Sequence, residues 1–533
     1  MSNNDKLPNI IILIADEMRG DIIQNSQVKI PHIRSIGNDG VTFTNNFSVN
    51  PVCGPARCCM FTGQYPHNNG HRSLYQLLRP HEENLFKFLK RKGYWVHWIG
   101  RNDFLTKQSI PQSVNKRIKP IPHLVLKIFK KMIRKFIRKS SKKQLFIINQ
   151  VIKELIDVFI RKTYPMVQSP LLRKLMEPYY KLNPYPFNHS LRKSFYYGAR
   201  TKEQALDFDS IITDKTVNFI EKANSKQPFC LYLAFNFPHP PYTVEEPFFS
   251  MYNSEDIDDL IPPNIDKKPQ FMKLMRKFYG LENLPEKNFK EIRATYYGMI
   301  SRLDAQIGMI LDHLKTHDLY DNSAIFFLVD HGDYAGDYGL SEKWPTGFED
   351  CLLKVPLLIK LPNSTPKGKI YSEFTQSIDI FPTILELARI KTPYTHFGKS
   401  LIPLLIGTKD KIRNEVFAEG GYDSREPQCF EKSVVSENIP LMGIYYDKTQ
   451  IPQKYPNSVC RSAMIRTKKW KVVIRSAEDA VEELYNLEDD PQELDNLIDN
   501  PEFTEVQTDL KNRLLDWYLK TSDNPHWYHK RDV

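Results

Sequence analysis

The amino-acid sequence predicts an α/β fold: a doubly wound, mostly parallel sheet flanked by helices, with a smaller C-terminal α+β domain containing an antiparallel sheet. Three features of the 533-residue chain predict this fold. Continuous apolar runs of strand length alternate with segments of helical periodicity. Four of these runs end in polar residues that can do chemistry. After about Glu415 the pattern changes to short strands that follow one another directly.

The four apolar runs are expected to be buried parallel strands. Their sequences are NIIILIADEMRGD, GYWVHWIGRNDF, PFCLYLAFNFPHPPY and SAIFFLVDHGD, at residues 9–21, 93–104, 228–242 and 323–333. In open α/β sheets the functional site lies beyond the carboxyl ends of the strands. We therefore expect the polar residues that follow the runs to meet in one crevice, namely Asp16, Glu17, Arg101, Asn102, Asp103, His239, Asp330 and His331.

Helices that would flank this sheet are indicated between the runs. Residues 84–93 precede the second run, and residues 291–317 precede the fourth with their apolar side chains on one stripe. Residues 355–362 and 376–390 predict another α/β crossover. Near the C-terminus, residues 462–476 and 482–487 predict antiparallel strands, and residues 503–520 predict a closing helix.

The chain is expected to divide into a catalytic α/β domain over residues 1–415 and an α+β subdomain over residues 416–533. Residues from about 115 to 187 are helix-rich without a strand pattern, which indicates an insertion into the first domain. Pro-rich loops at 240–290 are expected at the rim of the crevice. Together with residues 420–460, they are where we expect substrate specificity to lie.

The net charge of +11 comes from one segment. Residues 116–143 contain twelve Lys or Arg and no Asp or Glu, so the rest of the chain is close to neutral. This distribution argues against a nucleic-acid-binding protein. The segment has the apolar spacing of an amphipathic helix, which predicts either a solvated basic face or a contact with a membrane surface. A homo-oligomer is a further expectation that the sequence leaves open.

The cysteine content indicates a reducing compartment. Seven cysteines are scattered over the chain without the density of a secreted disulfide framework. The N-terminal apolar run is too short for a signal peptide with its flanks, and no segment reaches the ~20 apolar residues of a membrane span. We therefore expect a cytoplasmic protein.

Acidic clusters at two strand ends predict a site for a hard divalent cation. A single Asp after a strand is more often a helix N-cap, but two clusters, one of them Asp330-His331-Gly332-Asp333, favour a metal. Gly332 is expected to allow the backbone to turn so that Asp330 and His331 reach one ion. Oxygen ligands favour Ca²⁺, whereas the nitrogen of His331 keeps Mn²⁺ and Zn²⁺ as alternatives.

The most specific motif lies in residues 50–70, NPVCGPARCCMFTGQYPHNNG. Cys53-Gly54-Pro55-Ala56-Arg57, followed by Thr62-Gly63, resembles the C-x-P-[SA]-R…TG signature of the type I, formylglycine-dependent sulfatases of the alkaline-phosphatase-like superfamily. Other segments resemble the same family, at residues 238–242, 303–314, 329–344, 379–388 and 483–497. The resemblance covers nearly the whole chain except the basic insertion and the rim loops.

The resemblance implies that Cys53 is converted to formylglycine by a formylglycine-generating or sulfatase-maturating enzyme, and that the aldehyde hydrate is the nucleophile. It implies a metal site made of Asp16, Glu17, Cys53, Asp330 and His331. It also implies catalytic roles for four further residues. Arg57 would hold the nucleophile, while Arg101, His239 and Lys343 would bind the sulfate oxygens, stabilise charge or protonate the leaving group.

Two departures from the family pattern leave the substrate open. Glu17 stands where the family more often has a second Asp, and Asp103 stands where many members have a histidine. A negative charge from Asp103 would disfavour an anionic substrate unless it pairs with Arg101. A phosphonate monoester or phosphodiester hydrolase of the same superfamily therefore remains an alternative to a sulfatase. An inactive binding scaffold with a membrane-surface basic helix is an alternative of another class.

Cys58 and Cys59 are interpreted differently from Cys53. They fall in the predicted helix after the motif, where a buried thiol packs as a small apolar side chain. A zinc site would need further ligands, for which His67 and His71 are the local candidates.

Overall fold

The computed structural model describes residues 7–119, 185, 189–202, 205, 207–223, 227–362, 366–392, 394–423 and 445–522. Most of the predicted insertion lies outside the described residues. The predicted amphipathic helix of the basic segment 116–143 also lies outside them, from residue 120 onward. The domain boundary near residue 415 stays a prediction.

Sixteen strands are present in the described residues. In chain order they are β1 (Asn9–Asp16), β2 (Val41–Phe43), β3 (Asn46–Phe47), β4 (Trp95–Gly100), β5 (Lys116–Ile118), β6 (Tyr196–Arg200), β7 (Phe229–Pro238), β8 (Tyr242–Glu245), β9 (Ser323–Val329), β10 (Leu357–Lys360), β11 (Lys369–Tyr371), β12 (Thr375–Gln376), β13 (Val416–Gly420), β14 (Ser462–Arg466), β15 (Trp470–Arg475) and β16 (Glu483–Asn486).

The α-helices of the same residues are α1 (Pro31–Asn38), α2 (Cys53–Met60), α3 (Pro66–Asn69), α4 (Leu85–Arg91), α5 (Ile110–Ser113), α6 (Ser190–Lys193), α7 (Phe208–Ile220), α8 (Gln270–Phe278), α9 (Glu286–Thr316), α10 (Asp350–Leu353), α11 (Ile380–Leu387), α12 (Ile402–Leu405), α13 (Tyr446–Lys454) and α14 (Thr504–Thr521). Among these described helices, none combines the length and the apolar character that crossing a membrane requires.

The main sheet has eight strands in the order β11-β2-β10-β9-β1-β7-β4-β5. Neighbours are parallel except at β10, which is antiparallel to β9 and β2. The four predicted apolar runs are β1, β4, β7 and β9, and they are consecutive in this order. The mostly parallel sheet predicted from the sequence is confirmed, and its four chemistry-bearing strand ends lie side by side.

Apolar cores lie on both faces of the sheet. Ile11 and Leu13 of β1 belong to a core shared with α9, whereas Ile10 and Ile12 belong to a core shared with α4 and α11. Successive side chains of a strand point to opposite faces, so a strand with a core on each face reads as a continuous apolar run. This explains why β1 shows no polar alternation and ends in polar residues only where it leaves the sheet.

Two predictions of local structure were wrong. The strand predicted at residues 355–362 is β10, but it runs antiparallel to its neighbours, so it is not part of a parallel crossover; an apolar run carries no information on strand direction. Residues 116–118 were expected in a helical insertion, yet they form the edge strand β5 beside β4. There the Arg117 guanidinium lies 5.7 Å from the centre of the Trp98 ring. Three residues at a sheet edge are too few to show a strand pattern.

The C-terminal part forms the predicted antiparallel sheet, in the order β13-β14-β15-β16. Helix α14 packs on it through an apolar cluster that includes Ile465, Leu484 and Leu514. The same cluster contains Val49 and Cys59, which flank the first turn of α2. The C-terminal sheet therefore packs directly against the segment that carries Cys53.

Candidate active site

Asp16 and Glu17 lie at the carboxyl end of β1, where both side chains are completely buried. Glu17 has a φ of 71°, a left-handed conformation that is uncommon for a residue other than glycine. Its backbone N–H donates to Asp330 Oδ1 at 3.1 Å, and the N–H of His331 donates to the same oxygen at 2.9 Å. Asp330 therefore ties the end of β1 to the end of β9.

Cys53 is the first residue of α2, and Arg57 lies one helical turn further on. The Arg57 guanidinium is fully buried and contacts three carboxylates. Its Nε donates to Asp330 Oδ2 at 2.8 Å, its Nη2 lies 3.1 Å from Asp16 Oδ2, and its Nη1 donates to Asp103 Oδ2 at 3.3 Å. Arg57 thereby fixes the helix that carries Cys53 against the ends of β1, β4 and β9.

The buried charges of this region shift the pKa values of their neighbours. Burial opposes the charge of Arg57, but Asp330 and the groups around it raise the pKa of Arg57, which stays a cation. Burial, followed by the negative charge of Asp16, raises the pKa of the Cys53 thiol. Burial and the neighbouring carboxylate therefore disfavour the thiolate form of an unmodified Cys53.

Asp16 Oδ1, Glu17 Oε1 and His331 Nε2 are among the buried polar atoms that have no hydrogen-bond partner in the described part of the chain, and all three lie at this end of the sheet. Buried polar atoms are almost always paired, so these atoms call for a partner from outside the protein. His331 Nδ1 lies 2.9 Å from the carbonyl oxygen of Gly332, which can only accept a hydrogen bond. The proton is therefore on Nδ1, and Nε2 presents a lone pair, as in a metal-binding histidine.

The residues present fit a divalent cation. Ligand atoms of Asp16, Cys53 and His331 lie within 4.8 Å of one another, and so do those of Asp16, Glu17 and His239. Carboxylate oxygens with an imidazole nitrogen suit a hard or borderline cation. Asp330 adjoins this group, with its Oδ1 4.0 Å from His331 Nε2. The structure thus gathers all five residues predicted to hold the metal.

Lys343 and His239 lie on the Glu17 side of the site. Lys343 Nζ donates to Glu17 Oε2 at 2.6 Å and lies 2.9 Å from Glu342 Oε1. Burial opposes the Lys343 charge, but Glu17 and Glu342 raise the pKa of Lys343. His239 Nε2 lies 3.5 Å from the same Glu17 oxygen, and its Nδ1 donates to the Pro240 carbonyl at 2.7 Å. Burial, then Lys343, lowers the pKa of His239.

Arg101 lies at the solvent side of the site, with 29% of its side chain exposed. Its Nη1 lies 3.2 Å from Asp16 Oδ2 and donates to Asn236 Oδ1 at 2.7 Å. Asp103 Oδ2 lies 3.5 Å from Arg101 Nε and also accepts from Arg57. Asp103, the unusual acid of the sequence, is therefore neutralised by two arginines rather than presented to an anionic substrate.

Several residues of this site escaped the sequence analysis. Glu342 precedes Lys343 in the chain, and Asn236 lies at the end of the third apolar run, so both were near recognised motifs. Tyr445 and Lys448 lie in residues 420–460, where specificity was expected, but no motif indicated these two residues. The Tyr445 hydroxyl lies 3.1 Å from His239 Nε2, and Lys448 Nζ donates to Glu342 Oε2.

Gly332 has a different role from the expected turn. A Cβ atom at this position would lie 1.9 Å from the carbonyl oxygen of Cys351, so glycine is required for a close backbone approach. The N–H of Gly332 uses this approach to donate to the Leu352 carbonyl at 2.6 Å. The loop after β9 is therefore packed against α10.

Cys58 and Cys59 pack as predicted, but into different cores. Cys58 belongs to the core shared with α4, and Cys59 belongs to the cluster of the C-terminal sheet. His67 contacts Glu419, and His71 lies 3.2 Å from Glu82. The metal-binding groups found among the described residues contain neither of these thiols.

Comparisons with known proteins cover most of this chain. The family described as Sulfatase matches residues 8–155 and 157–390, and the family described as N-sulphoglucosamine sulphohydrolase, C-terminal, matches residues 336–451 and 442–520. The multifunctional alkaline phosphatase superfamily protein PehA of Trinickia caryophylli is 26% identical, over 97% of this chain and 96% of its own length. Choline-sulfatase of Rhizobium meliloti strain 1021 is 24% identical, over 78% of this chain and 75% of its own length.

A solved structure shares the whole architecture. The phosphonate monoester hydrolase of Agrobacterium radiobacter has a TM-score of 0.70 at 20% identity, covering 96% of each chain. At this identity the likeness shows a shared fold. The family match is the stronger finding, because it spans more than half of the chain, including Asp16, Cys53 and Asp330. The chain therefore belongs to the sulfatase family. This confirms the enzyme class predicted from the sequence, a sulfuric ester hydrolase.

Proposed function

We propose that the chain hydrolyses sulfate esters of small molecules or carbohydrates, with formylglycine made from Cys53 as the nucleophile. The observation that carries this proposal is the set of contacts around Arg57. Its guanidinium fixes Cys53 beside Asp16 and Asp330. At the same place, Asp16 Oδ1 and His331 Nε2 have no hydrogen-bond partner in the described residues and could bind a cation. A cysteine that served only to pack the core would need neither this arginine nor these ligands.

Two groups complete the proposed chemistry. A divalent cation, for which we propose Ca²⁺ first, would be held by Asp16, Glu17, Cys53, Asp330 and His331, and would stabilise negative charge and lower the pKa of a bound hydroxyl. The hydrate of formylglycine would supply two hydroxyl groups. The oxygen of one would attack the sulfur as the alcohol of the ester leaves, and loss of the proton from the other would expel the bound sulfate and regenerate the aldehyde. A serine could supply only the first of these hydroxyls.

Side chains of the site would bind the ester and stabilise the negative charge on its oxygens. Arg101 and Lys343 place cations on two sides of Asp16 and Glu17, where the oxygens of a bound sulfate would be stabilised. His239 faces the Glu17 carboxylate through Nε2, and this nitrogen would contact the leaving oxygen. Because Lys343 and His239 are largely buried, they act in a part of the site with little competing water.

A phosphonate monoester or phosphodiester hydrolase is the second candidate. It is favoured by the similarity to PehA, which extends over 97% of the chain. Both ester classes are tetrahedral anions, so the contacts of Arg101 and Lys343 suit either one. Values of kcat/KM for matched aryl sulfate and aryl phosphonate monoesters separate the candidates, and a clear preference for the phosphonate would contradict the proposed sulfatase.

The modification of Cys53 is tested directly by peptide mass spectrometry of protein purified from its native host. The expected peptide carries an aldehyde or its hydrate at position 53 instead of a thiol. A fully active protein with an unmodified cysteine would refute the proposed nucleophile.

Other predictions accompany this function. We propose a formylglycine-generating or sulfatase-maturating enzyme as a partner. We also propose a cytoplasmic location, supported by the cysteines of the described residues, none of which forms a disulfide. Contact with a membrane surface through residues 116–143, and a homo-oligomer, stay predictions.

A further inference from the structure

The beginning of helix α13 lies against the proposed catalytic groups, although it comes from a region of the chain far from their motifs. Tyr445 directly precedes the helix and is 8% exposed, and Lys448 is 9% exposed. They are separated in sequence from their main partners by 206 and 106 residues, respectively. Two largely buried polar side chains are thus brought to one place by the tertiary fold.

Lys448 belongs to a chain of four alternating charges. Lys343 Nζ lies between Glu17 Oε2, at 2.6 Å, and Glu342 Oε1, at 2.9 Å. Lys448 Nζ donates to the other oxygen of Glu342 and, at 2.9 Å, to the carbonyl oxygen of Lys343. The order is therefore Glu17, Lys343, Glu342 and Lys448, and the two carboxylates balance the two ammonium groups.

The backbone at both carboxylates indicates that their positions are imposed by the surrounding structure. Glu17 has a φ of 71° and Glu342 a φ of 66°, both in the left-handed region that residues other than glycine rarely adopt. The N–H of Glu342 is held by the Tyr242 hydroxyl at 2.9 Å and by Asp333 Oδ1 at 3.0 Å. Strained backbone of this kind concentrates at functional sites.

The charge order shows what Lys448 does. Without its ammonium group, Glu342 would be a fully buried carboxylate with Lys343 as its remaining cationic partner among the described residues. The attraction between unlike charges is strong in a buried site, so Lys343 would shift from Glu17 toward Glu342. Lys448 also fixes the backbone of Lys343 through the hydrogen bond to its carbonyl oxygen. Both effects keep the Lys343 ammonium at Glu17.

Tyr445 acts on His239 in a similar way. The Pro240 carbonyl accepts a hydrogen bond from His239 Nδ1, which places a proton on that nitrogen. The Tyr445 hydroxyl, 3.1 Å from Nε2, contacts the opposite side of the ring. Contacts at both nitrogens fix the orientation of the imidazole.

We propose that the first turn of α13 completes the active site, with Lys448 as the positioning residue for Lys343 and Tyr445 as the positioning residue for His239. Neither residue needs to touch the reacting ester. The inference deepens the proposed function, and its kinetic readouts rest on that function.

The central test compares Lys448→Met, which keeps the apolar stem, with Lys448→Arg, which restores a cation. Lys448→Met should lower kcat by about 10- to 100-fold, the usual effect of losing a partner that orients a catalytic group, with a smaller change in KM. Lys448→Arg should recover most of the loss. Lys454→Met removes an exposed lysine from the other end of the same helix and should keep kcat within about twofold of the wild type.

Tyr445→Phe tests the second half. If the hydroxyl orients His239, its loss should lower kcat by about 10- to 100-fold with a smaller change in KM, and a crystal structure of the variant should show His239 Nε2 displaced from its position 3.5 Å from Glu17 Oε2. An unchanged position of the imidazole, or wild-type kcat, would overturn the role of Tyr445. Wild-type kcat in Lys448→Met, or an equal loss in Lys448→Met and Lys448→Arg, would overturn the role of Lys448.

A structural readout keeps the inference independent of the substrate. Crystal structures of the wild type and Lys448→Met should show the Lys343–Glu17 contact, 2.6 Å in the native chain, lengthened beyond hydrogen-bonding range in the variant. An unchanged contact would overturn the inference even if the enzyme proves to act on phosphonates. Conversely, a wild type without sulfate ester activity would refute the proposed function while this comparison still decides the positioning role.

Discussion

Arg57 Nε donates a 2.8 Å hydrogen bond to Asp330 Oδ2, and this contact joins the helix that carries Cys53 to the strand end that carries His331. The same guanidinium reaches Asp16 at the end of β1. Asp16 and Asp330 are both completely buried. One side chain therefore positions the predicted nucleophile relative to the predicted metal ligands and also pairs with two of their carboxylates.

Replacing Arg57 should cost stability as well as activity. Arg57→Met leaves Asp16 and Asp330 buried without their main cation, which should lower the free energy of unfolding by about 3–5 kcal/mol. Urea denaturation at saturating metal measures this change. Arg91→Met removes an exposed arginine that is paired with Glu83 and should cost less than about 1 kcal/mol. Equal losses of stability in the two variants would show that Arg57 does not link α2 to the ends of β1 and β9.

Arg57→Lys separates charge from geometry. An ammonium group keeps the positive charge but cannot contact Asp330, Asp16 and Asp103 together, as the guanidinium fork does. We expect most of the stability to be retained while kcat falls on the order of 100-fold, because the nucleophile is no longer held in place. A variant with native kcat would contradict this positioning role.

Cys53 and Cys58 should behave in opposite ways on substitution. Cys53→Ala should lower kcat by about 10⁴-fold or more, since the nucleophile is lost, with little change in stability. Cys58→Ala removes a thiol packed in the core and should cost about 1 kcal/mol while kcat stays near the wild-type value. Steady-state kinetics and urea denaturation of the matched pair decide the point. Retention of turnover in Cys53→Ala would eliminate Cys53 as the nucleophile.

Much of the site could be predicted because its residues follow apolar strands. A strand buried on both faces is apolar throughout, so Asp16, Asp330 and His331 stand out where the strands end. The adjacency of those ends in the sheet then follows from parallel α/β architecture. The direction of β10 was not predictable in this way, because an antiparallel strand between two sheet neighbours has the same apolar composition as a parallel one.

The contacts of α13 could not be found from sequence. Tyr445 and Lys448 reach His239 and Glu342 across more than a hundred residues, through packing of the C-terminal part on the main sheet. No local pattern encodes such a contact. Likewise, the sequence indicates Glu17 only as a metal ligand next to Asp16. It does not reveal that one oxygen of Glu17 accepts a hydrogen bond from Lys343.

Removing metal ligands should reduce bound metal and activity together. His331→Ala deletes the imidazole whose Nε2 lies unpaired beside Asp16 and Cys53. Loss of a ligand should lower the metal content after dialysis, measured by inductively coupled plasma mass spectrometry. The value of kcat should fall in proportion to the metal lost. A chelator should inactivate the wild type in the same way, and added metal should restore it. Full activity in chelated protein would contradict a catalytic metal.

Substitutions of Glu17 separate two roles of this residue, binding a metal and binding Lys343. Its Oε2 binds Lys343, but its Oε1 is buried without a hydrogen-bond partner in the described residues. Glu17→Gln preserves the shape of the side chain and an oxygen for Lys343 while removing the negative charge. We expect metal affinity to fall about 10- to 100-fold, because the unpaired oxygen loses the charge that attracts the cation.

Glu17→Asp provides the matched comparison. It keeps the carboxylate but is one methylene shorter, so the contact with Lys343 should be lost while attraction for the metal remains. Metal titration followed by calorimetry should therefore rank the affinities as wild type, Glu17→Asp and Glu17→Gln, whereas kcat at saturating metal should fall in both variants. Should Glu17→Gln bind metal as tightly as the wild type, Glu17 would act only on Lys343, and the metal would be held by the remaining four residues.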